Sequence, residues 1–444
     1  MQETSCVVPF LNEENSNMSI YAEKCGVDII ISDGELREMV IATVENVGKT
    51  SGRMLILPPD HTRLNSMAGR ITEIVWETYS SMWTIDIMPA LGTHAPMTDA
   101  ELDLMFGSKI PKDRFLVHDW RNDVVTLGKA PSSLLQELSE GKLDYEVDIQ
   151  VNKRLFAGYD LILSVGQVVP HEVVGMANYT KNLMVGVGGS DIINKSHFLG
   201  AVYGLERIMG HADSPVRRLF NYGADTYLKD LPIVFIQTVM SKDQATGKMA
   251  MRGFVSGTGV EVFNRAAALA VDANLELLDE PLDKVIVYLD PEEFKSTWLG
   301  NKAVYRTRMA IADDGDLIIL APGLKMFGED KGNDTLIRKY GYKGTPNTLA
   351  MVKENDDLKA GLGAAAHLIH GSSEGRFRIT YCPGPGVTEE EIRSVGFEYA
   401  DLDETMKKYN FSELKDGYNV VNGEKIFYIS NPALGLWALK KNFK

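Results

Sequence analysis

Hydrophobic positions in this chain fall into two alternating patterns. Short runs rich in β-branched and aromatic residues predict strands, and stretches with apolar residues every three or four positions predict amphipathic helices. In the first half, strands are predicted at residues 54–57, 83–91, 114–117, 123–127, 145–151 and 159–165. Helices are predicted at residues 33–47, 68–79 and 131–138, and from Ser190 onward. Asp33 is expected to cap the first helix, and its buried face is expected to carry Leu36, Met39, Val40, Thr43 and Val44.

The same alternation continues through the second half. Strands are predicted at residues 232–240, 249–256, 284–289, 317–321 and 377–382, with a hairpin around Asn422-Gly423. Helices are predicted at 260–277, 291–312, 335–340 and 349–369, and two capping boxes, Thr98 with Glu101 and Thr388 with Glu391, open further helices. An acidic stretch containing Pro281 indicates a domain boundary.

The alternation is typical of an α/β fold with two Rossmann-like domains. We expect residues 1–278 to form the first domain and residues 279–417 to form the second, with the active site in the cleft between them. The tail, residues 418–444, is expected to pack back on the first domain.

Polar side chains follow the predicted strands of the first domain. Asp60-His61-Thr62-Arg63 follows the first of them, and His94 and His118 come after the next two. Ligands in open α/β sheets bind outside the carboxyl ends of strands, so these side chains are expected along one rim. A lone histidine is more often structural than catalytic, and Asp60 with Arg63 also suits an ion pair in a turn. The convergence of several histidines on one rim favours an active site.

The stretch from Val168 to Leu199 holds the most reactive side chains. It contains His171, Lys181 and His197 around the loop Gly186-Val187-Gly188-Gly189. A glycine loop before a helix leaves N–H groups free for an anion, although this loop has neither standard dinucleotide nor Walker spacing. Lys181 stands among small and apolar residues, where a desolvated amine becomes nucleophilic, although most lysines are solvated. From the residues alone, an anion-binding, histidine-based site is predicted.

Composition narrows the class of protein. The 444 residues carry a formal net charge of -15, which argues against a general nucleic-acid binder. Three cysteines, Cys6, Cys25 and Cys382, are too few and scattered for a disulfide framework or a cysteine metal site, and a cytoplasmic location is expected. The first 19 residues lack the pattern of a secretory signal, and no apolar run is long enough to span a membrane.

The ordered set Asp60-x-Thr62-Arg63, Gly92-Thr93-His94, His171, Lys181 and His197 resembles the nickel-pincer lactate racemase family over about residues 50–205. The resemblance implies a racemase or epimerase, an isomerase acting on a small anionic 2-hydroxy acid. It also implies a nickel-pincer nucleotide, a pyridinium mononucleotide with two thio-acid groups that binds Ni(II) and is joined to a lysine as a thioamide. Enzymes that build this cofactor are then expected partners, and the oligomeric state is left open.

The resemblance also implies a role for each residue. Lys181 corresponds to the attachment lysine and His197 to the nickel ligand, and one imidazole with three pincer donors suits Ni(II). His94 and His171 correspond to two acid-base histidines that serve opposite enantiomers while hydride leaves C2 and returns to it. Arg63 is expected to grip the substrate carboxylate and Asp60 to orient its neighbours. Candidates for the cofactor phosphate are Thr62, Gly186, Gly188 and Gly189. His118 is expected to be structural.

The second domain departs from the family pattern. Lactate-specific members carry a Tyr-Gln pair and a later lysine, whereas this chain has Tyr305, then Arg306 for Gln and Met309 for Lys. Lys302, Arg308 and Trp298 stand nearby, and the group suits either a substrate-binding face or a solvated basic helix face. The first case predicts a substrate larger or more polar than lactate, such as a sugar acid or a dicarboxylic hydroxy acid. Lactate racemase itself, a nicotinamide-dependent oxidoreductase and a non-catalytic relative remain alternatives.

Overall fold

The computed structural model describes residues 20–243 and 246–443, and it divides into two compact units. Unit 1 comprises the described residues up to Ser196 together with Met209–Asn274. Unit 2 comprises His197–Ile208 and the described residues from Leu275 onward. The N-terminal segment, with Cys6, lies outside the described residues. The chain therefore passes from unit 1 to unit 2 and back before the second large segment begins.

Unit 1 alternates strands and helices. Its strands are β1 (Ile20–Cys25), β2 (Gly52–Leu57), β3 (Trp83–Ile87), β4 (Val124–Ala130), β5 (Val147–Asn152), β6 (Leu161–Gln167), β7 (Pro170–His171), β8 (Gly175–Met176), β9 (Ile233–Lys242) and β10 (Met249–Gly257). Its helices are α1 (Asp33–Glu45), α2 (Ala68–Tyr79), α3 (Asp99–Phe106), α4 (Ser132–Leu138), α6 (Pro215–Tyr227) and α7 (Val260–Asn274), and α5 (Ser190–Tyr203) begins in this unit.

The main sheet of unit 1 has the strand order β1-β10-β9-β6-β2-β3. Strands β3, β2, β6 and β9 run parallel, and β10 and β1 add antiparallel pairs at one edge. Met54 and Ile56 of β2 are fully buried and belong to the same apolar cluster as the inner residues of α1 and α2. Burying each such side chain contributes about 1.5–3 kcal/mol. The five predicted face residues of α1 are all buried, as expected.

Three local predictions in unit 1 were wrong. Ser32, not Asp33, caps α1, because its hydroxyl accepts the Glu35 N–H while the Glu35 carboxylate reaches back to Ser32. Strand β3 ends at Ile87 rather than Leu91, since Pro89 has no N–H for a ladder bond. Residues 114–117 form no regular strand: Phe115 makes one isolated bridge to Ile87 after a 3-10 turn.

Unit 2 contains the remaining elements. Its strands are β11 (Leu275–Leu278), β12 (Leu282–Tyr288), β13 (Ile311–Ala321), β14 (Arg378–Pro383), β15 (Glu398–Tyr399), β16 (Gly417–Val421), β17 (Glu424–Ile429) and β18 (Leu436–Leu439). Its helices are α8 (Thr297–Gly300), α9 (Lys302–Thr307), α10 (Lys331–Tyr340), α11 (Thr345–Glu354), α12 (Asp356–Ala360), α13 (Leu362–His370), α14 (Glu389–Ser394) and α15 (Leu402–Lys408).

The sheet of unit 2 has the order β15-β14-β13-β12-β17-β16 and is parallel except for the β16–β17 hairpin. Asn422 and Gly423, both with positive φ, form the predicted turn of that hairpin. Because β17 pairs with β12 and β18 pairs with β11, the tail from residue 418 supplies strands to unit 2, not to the first domain as expected. Both units have the predicted α/β architecture.

Long predicted helices are interrupted in unit 2. The helix expected at 291–312 is replaced by the short helices α8 and α9. Strand β13 starts at Ile311, so the last residues of the expected helix belong to the sheet of unit 2 instead. The helix expected at 349–369 breaks at Asn355 and Gly361 into α11, α12 and α13. The helix expected at 260–277 ends at Asn274, because residues 275–278 pair with β18. In the part of the chain that the structure describes, no helix is long and apolar enough to cross a membrane.

Candidate functional site

The carboxyl ends of β2, β3 and β6 form a rim, whereas the strand predicted before His118 is not formed. These strands are adjacent and parallel, so the loops that leave them start from the same edge of the sheet. Asp60 follows β2, His94 follows β3, and His171 follows β6 in the short β7–β8 hairpin. An isolated bridge between Pro59 and Ala90 extends the pairing of the first two loops. The topology thus brings together loops that are far apart in sequence.

Asp60 and His94 form a hydrogen-bonded pair. Nδ1 of His94 lies 2.5 Å from Oδ2 of Asp60, whose other oxygen, Oδ1, accepts the N–H and the hydroxyl of Thr62. Asp60 is 4% exposed, whereas the His94 side chain is 56% exposed. Burial alone would raise the pKa of Asp60, but the hydrogen bonds from His94 and Thr62 and the nearby Arg63 charge lower it overall. The carboxylate is therefore ionised and faces the imidazole.

This arrangement decides which nitrogen of His94 carries the proton. An ionised carboxylate accepts a hydrogen bond and cannot donate one, so Nδ1 of His94 is the donor. In the neutral ring, Nε2 then has a free lone pair and can accept a proton. Asp60 therefore holds the His94 ring in the tautomer whose Nε2 can accept a proton. Thr62 keeps Asp60 in place, and its own hydroxyl is committed to that task rather than to a phosphate.

An Asp60→Asn substitution is expected to put the proton on the wrong nitrogen of His94. Thr62 still donates to the amide oxygen, so the amide NH2 faces Nδ1 and forces it to accept. The proton then moves to Nε2, and the rate of a reaction that uses Nε2 as base falls about 10⁴-fold, as when the aspartate of a catalytic triad is changed to asparagine. Nitrogen NMR of labelled histidine measures the tautomer, and turnover gives the rate. Thr62→Val is the matched control, because it removes a hydrogen bond but keeps the carboxylate. A proton that stays on Nδ1 in the Asp60→Asn variant would refute the argument.

His171 has a different environment. Its Nδ1 accepts the N–H of Val173 at 3.1 Å and lies 3.8 Å from a carboxylate oxygen of Glu172, and its side chain is only 14% exposed. Since Nδ1 is an acceptor here, the proton of the neutral ring is on Nε2. In this tautomer Nε2 carries the proton and can donate it, and Nε2 can accept a proton only after Nδ1 has released the Val173 N–H and taken up the ring proton itself. The two predicted acid-base histidines are thus held in opposite tautomers.

Lys181 is surrounded by charged groups. Burial, followed by the positive charge of Arg63 and a smaller contribution from Arg217, lowers the pKa of the Lys181 amine to about 8, although Glu172 and Asp60 oppose the shift. Among residues 20–243 and 246–443, no side-chain hydrogen bond or ion pair to this amine is seen. A substantial fraction of the amine is therefore unprotonated at slightly alkaline pH, which is the nucleophilic form.

Asn182 fixes the backbone next to Lys181. Its amide donates to the carbonyl of Leu57, at the end of β2, at 3.0 Å and to the hydroxyl of Ser164, within β6, at 2.9 Å. Residues Asn182–Gly186 form a π-helical turn, and the carbonyl of Gly186 accepts the N–H of Gly92 in the loop after β3. The segment after Lys181 is consequently hydrogen-bonded to β2, to β6 and to the loop that follows β3.

The glycine loop does not have the predicted role at two of its positions. The N–H of Gly188 donates to Val185 and that of Gly189 donates to Gln150, so neither is free for an anion. A Cβ on Gly188 would lie 1.8 Å from the Met184 carbonyl oxygen, and a Cβ on Gly189 would lie 2.5 Å from Gln150. At Gly186 a Cβ would lie 2.8 Å from that of Ala90. Close packing explains these glycines, and the loop provides no phosphate cradle through Gly188 and Gly189.

Arg63 and His118 differ in exposure and in hydrogen bonding. Arg63 is exposed on the rim and makes no ion pair with Asp60 among the described residues, so its guanidinium remains available for an anion. His118 is buried, with Nε2 against the Gly188 carbonyl and Nδ1 against the Asn152 amide. Burial lowers the pKa of His118. Both ring nitrogens are occupied by protein groups, which supports the structural role expected for this residue.

Most of the predicted basic face of unit 2 is engaged within that unit. Arg308 is 2% exposed; its Nε donates to Glu206 at 2.6 Å and its Nη1 to the His370 carbonyl, so the expectation that it reaches substrate was wrong. Tyr305 is buried, and Lys302 lies 4.0 Å from Glu293. Trp298 stacks on His367 with ring centroids 4.4 Å apart. Arg306 and Trp298 are both half-buried.

The Arg308–Glu206 pair predicts a stability effect. Glu206→Gln would leave the buried guanidinium without a counterion, and we expect the free energy of unfolding to fall by about 2–3 kcal/mol, because Glu206 is partly exposed and water compensates in part. Urea denaturation measures this change. The exposed pair Arg393 and Glu389 is the control, since Glu389→Gln is expected to cost about 1 kcal/mol or less. Equal losses in the two variants would contradict the prediction.

His197 lies in the second half of α5, in the part of the chain assigned to unit 2. Among the described residues, no group of three or more His, Cys, Asp or Glu side chains is placed to hold a metal ion. A metal bound at His197 would need most of its donors from another molecule.

Sequence reasoning missed Glu172, Asn182 and Arg217. Glu172 and Asn182 are adjacent to predicted site residues, so their positions were a usable signal. Arg217 carried no such signal, since it is 36 residues from Lys181 and resembles any arginine on an amphipathic helix.

Comparison with known proteins bears on the family of this chain. Residues 36–206 match the family model of the lactate racemase N-terminal domain. This region contains Asp60, His94, His171, Lys181 and His197, so the resemblance to the lactate racemase family is confirmed over it. No match was found among curated protein sequences.

Solved structures share the fold over nearly the whole chain. A protein from Thermotoga maritima is 21% identical, with a TM-score of 0.77, and the match covers 94% of this chain and 100% of that one. The lactate racemase apoprotein from Thermoanaerobacterium thermosaccharolyticum is 16% identical, with a TM-score of 0.68 and coverage of 92% and 93%. At these identities, the likeness establishes the fold.

Proposed function

We propose that this protein is an isomerase that inverts C2 of a 2-hydroxy acid. The observation that carries the proposal is the placement of the Lys181 amine, with its lowered pKa and no side-chain partner among the described residues, on the same sheet rim as the Asp60–His94 pair. The match to the lactate racemase N-terminal domain supports the reaction class. A non-catalytic relative would have no need for such an amine beside a carboxylate-held base.

The nickel-pincer nucleotide fits part of this site. Lys181 would be its attachment point and His197 its nickel ligand, while the phosphate would have to bind elsewhere than the N–H groups of Gly188 and Gly189. When bound, the cofactor supplies a hydride acceptor that also returns the hydride to C2. We further propose that the enzymes that build this cofactor are the partners of the apoprotein.

The residues of the chain supply proton transfer and orientation. Nε2 of His94 takes the hydroxyl proton of the substrate as C2 is oxidised, and Asp60 stabilises the imidazolium that forms. Arg63 binds the carboxylate with its guanidinium. His171 donates a hydrogen bond from Nε2, and it carries a proton for the opposite enantiomer when Val173 releases Nδ1. Partial burial of His171 and Lys181 limits water around the reacting centre.

The substrate class is small and anionic. The proposal of a sugar acid or dicarboxylic hydroxy acid rested on extra cations in unit 2, and Arg308 and Lys302 are now paired with glutamates. Arg306 in place of glutamine is the remaining reason to expect a substrate more polar than lactate.

The decisive experiment is intact-mass and nickel analysis of protein produced in a host that makes the cofactor. We expect a cofactor-sized adduct on Lys181 with about one nickel per chain, and C2 inversion in a panel of lactate, sugar acids and dicarboxylic hydroxy acids. Protein from a host without the biosynthetic enzymes is the control. If the adduct is missing in the first host, or if no hydroxy acid is inverted although the adduct is present, the proposal is wrong.

A further inference from the structure

The backbone just before Lys181 is strained. Asn178 and Tyr179 have positive φ values of 67° and 56°, and both side chains are buried. Two successive left-handed residues without glycine cost about 1–2 kcal/mol each, and such conformations persist only where the surroundings enforce them. The π-helical turn Asn182–Gly186 follows at once, and such turns are frequent at functional sites. Lys181 is therefore presented between two uncommon backbone conformations.

Arg217 of α6 holds this segment in place. Its Nη1 donates to the Asn178 carbonyl at 3.1 Å and to the Thr180 hydroxyl at 2.8 Å, and its Nη2 donates to the Met176 carbonyl at 2.7 Å. The Thr180 hydroxyl in turn donates to Asn221, also on α6. These bonds reach both sides of the left-handed pair, so α6 and the turn form one unit.

Aromatic rings pack against the Arg217 guanidinium and the Tyr179 side chain. The Arg217 guanidinium lies 4.2 Å from the centroid of the Phe263 ring, and the Tyr179 ring stacks on the same phenylalanine at 5.4 Å. Phe235 packs against the other side of Tyr179 at 4.4 Å. A guanidinium over an aromatic face gains about 2 kcal/mol when desolvated, which offsets part of its burial.

Arg217 has no carboxylate partner among the described residues, although it is 2% exposed. Burial lowers the pKa of its guanidinium, but this group starts from so high a value that it stays charged at neutral pH. The charge is met instead by three oxygen acceptors and by the Phe263 ring. It also lowers the pKa of the Lys181 amine, by less than burial and Arg63 do.

We propose that Arg217 is the positioning residue of Lys181: by holding the left-handed turn through its hydrogen bonds, it presents the amine to an electrophile. Which molecule reacts with Lys181 in the cell rests on the proposed function. The reactivity of the Lys181 amine itself does not. The other charged groups that act on Lys181 are Arg63, which works with Arg217, and Glu172 and Asp60, which oppose both.

The test measures amine reactivity in the apoprotein. Phenyl isothiocyanate adds to a neutral amine: one N–C bond forms and the amine proton moves to the reagent nitrogen. Labelling of Lys181 and of Lys153, an exposed lysine paired with Asp123, is followed by peptide mass spectrometry from pH 6 to 10. In the wild type, Lys181 labelling should be half-maximal near pH 8, below the ordinary lysine value of 10.5.

Arg217→Met is expected to shift the Lys181 profile to higher pH and to lower its labelling rate at pH 7.5 by about threefold, because the turn is no longer held and one of the charges that lower the Lys181 pKa is lost. Arg217→Lys keeps the positive charge but lacks the several N–H donors of the guanidinium. The pH midpoint of Lys181 labelling should therefore stay near that of the wild type, while the maximal labelling rate falls. A folded Arg217→Met protein with an unchanged Lys181 profile overturns the proposal.

If Arg217→Met does not fold, Thr180→Val decides the matter, because it removes one acceptor of Arg217 and leaves the charge. A lower maximal labelling rate of Lys181 relative to Lys153 supports the positioning of Lys181 by Arg217, and an unchanged ratio of the two rates refutes it. The labelling needs no cofactor. Absence of the nickel adduct with an intact labelling profile would therefore refute the proposed function alone.

Discussion

Replacing His94 with alanine is expected to lower the rate of C2 inversion by about 10²- to 10⁴-fold in both directions. The variant loses the nitrogen that we propose accepts the hydroxyl proton, and no second base hydrogen-bonds to the Asp60 carboxylate within the described part of the chain. His171→Ala should produce a loss of the same order, because the opposite enantiomer needs its own proton carrier. Inversion is measured from each enantiomer by polarimetry, with the mass of the Lys181 adduct recorded in parallel.

The control for these variants is His61→Gln. His61 lies in the same 3-10 turn as Thr62 but faces Glu101 at 3.3 Å, so its loss should change turnover by less than about threefold. The adduct should persist in all three proteins, since attachment depends on Lys181. Full activity of either alanine variant would refute the two-histidine mechanism, and loss of the adduct would mean that the substitution disturbs cofactor binding instead.

Lys181→Met is expected to abolish both the adduct and C2 inversion while making the fold more stable. Lys181 has a pKa of about 8 in the folded protein, lower than its ordinary value of 10.5, so the folded state binds the proton less tightly than the unfolded state. Below about pH 8 the charged amine thus opposes folding. At pH 7 methionine should raise the free energy of unfolding by about 1–3 kcal/mol, given 1.4 kcal/mol per pKa unit and partial exposure.

The pH dependence provides the check. Between pH 8 and 10.5 the unfolded state binds more protons than the folded state, so wild-type stability rises with pH and the advantage of Lys181→Met shrinks. Urea denaturation at pH 7, 8.5 and 10 measures the difference. Lys153→Met, at an exposed ion pair, should differ from the wild type by about 1 kcal/mol or less, and an advantage of Lys181→Met that is absent or constant with pH would contradict the prediction.

The stability gain and the loss of function would have the same cause. A desolvated amine beside Arg63 and Arg217 is unfavourable for the fold and useful for covalent attachment. Functional sites often retain such unfavourable features, and stabilising substitutions at these positions remove activity.

Much of the local structure was predictable from the sequence. Spacing of apolar residues predicted α1, α2 and the strands β5, β6, β9 and β10, and the capping boxes at Thr98 and Thr388 were confirmed. These features depend on residues within a few positions of one another. The Asn422-Gly423 turn was predictable for the same reason, since few residues adopt two successive positive φ values.

Longer elements were less predictable because distant partners decided them. The apolar run at 275–278 continues the helical pattern of α7, yet it forms β11 because β18 is available to pair with it. The helix expected at 291–312 fails for a similar reason, since β13 completes the sheet of unit 2. Propensity is a weak preference, and hydrogen bonding to a distant strand overrides it.

By itself, the sequence determined the fold class and the side chains with reactive chemistry: Asp60, His94, His171, Lys181 and His197. Only the tertiary structure decided which contacts these side chains make. It placed Asp60 against His94, turned His171 toward Val173, paired Arg308 with Glu206 and set Arg217 beneath the turn that carries Lys181. The physical reason is that tautomers, pKa values and ion pairs depend on distances of a few ångströms between residues remote in sequence, whereas spacing along the chain reports only on neighbours.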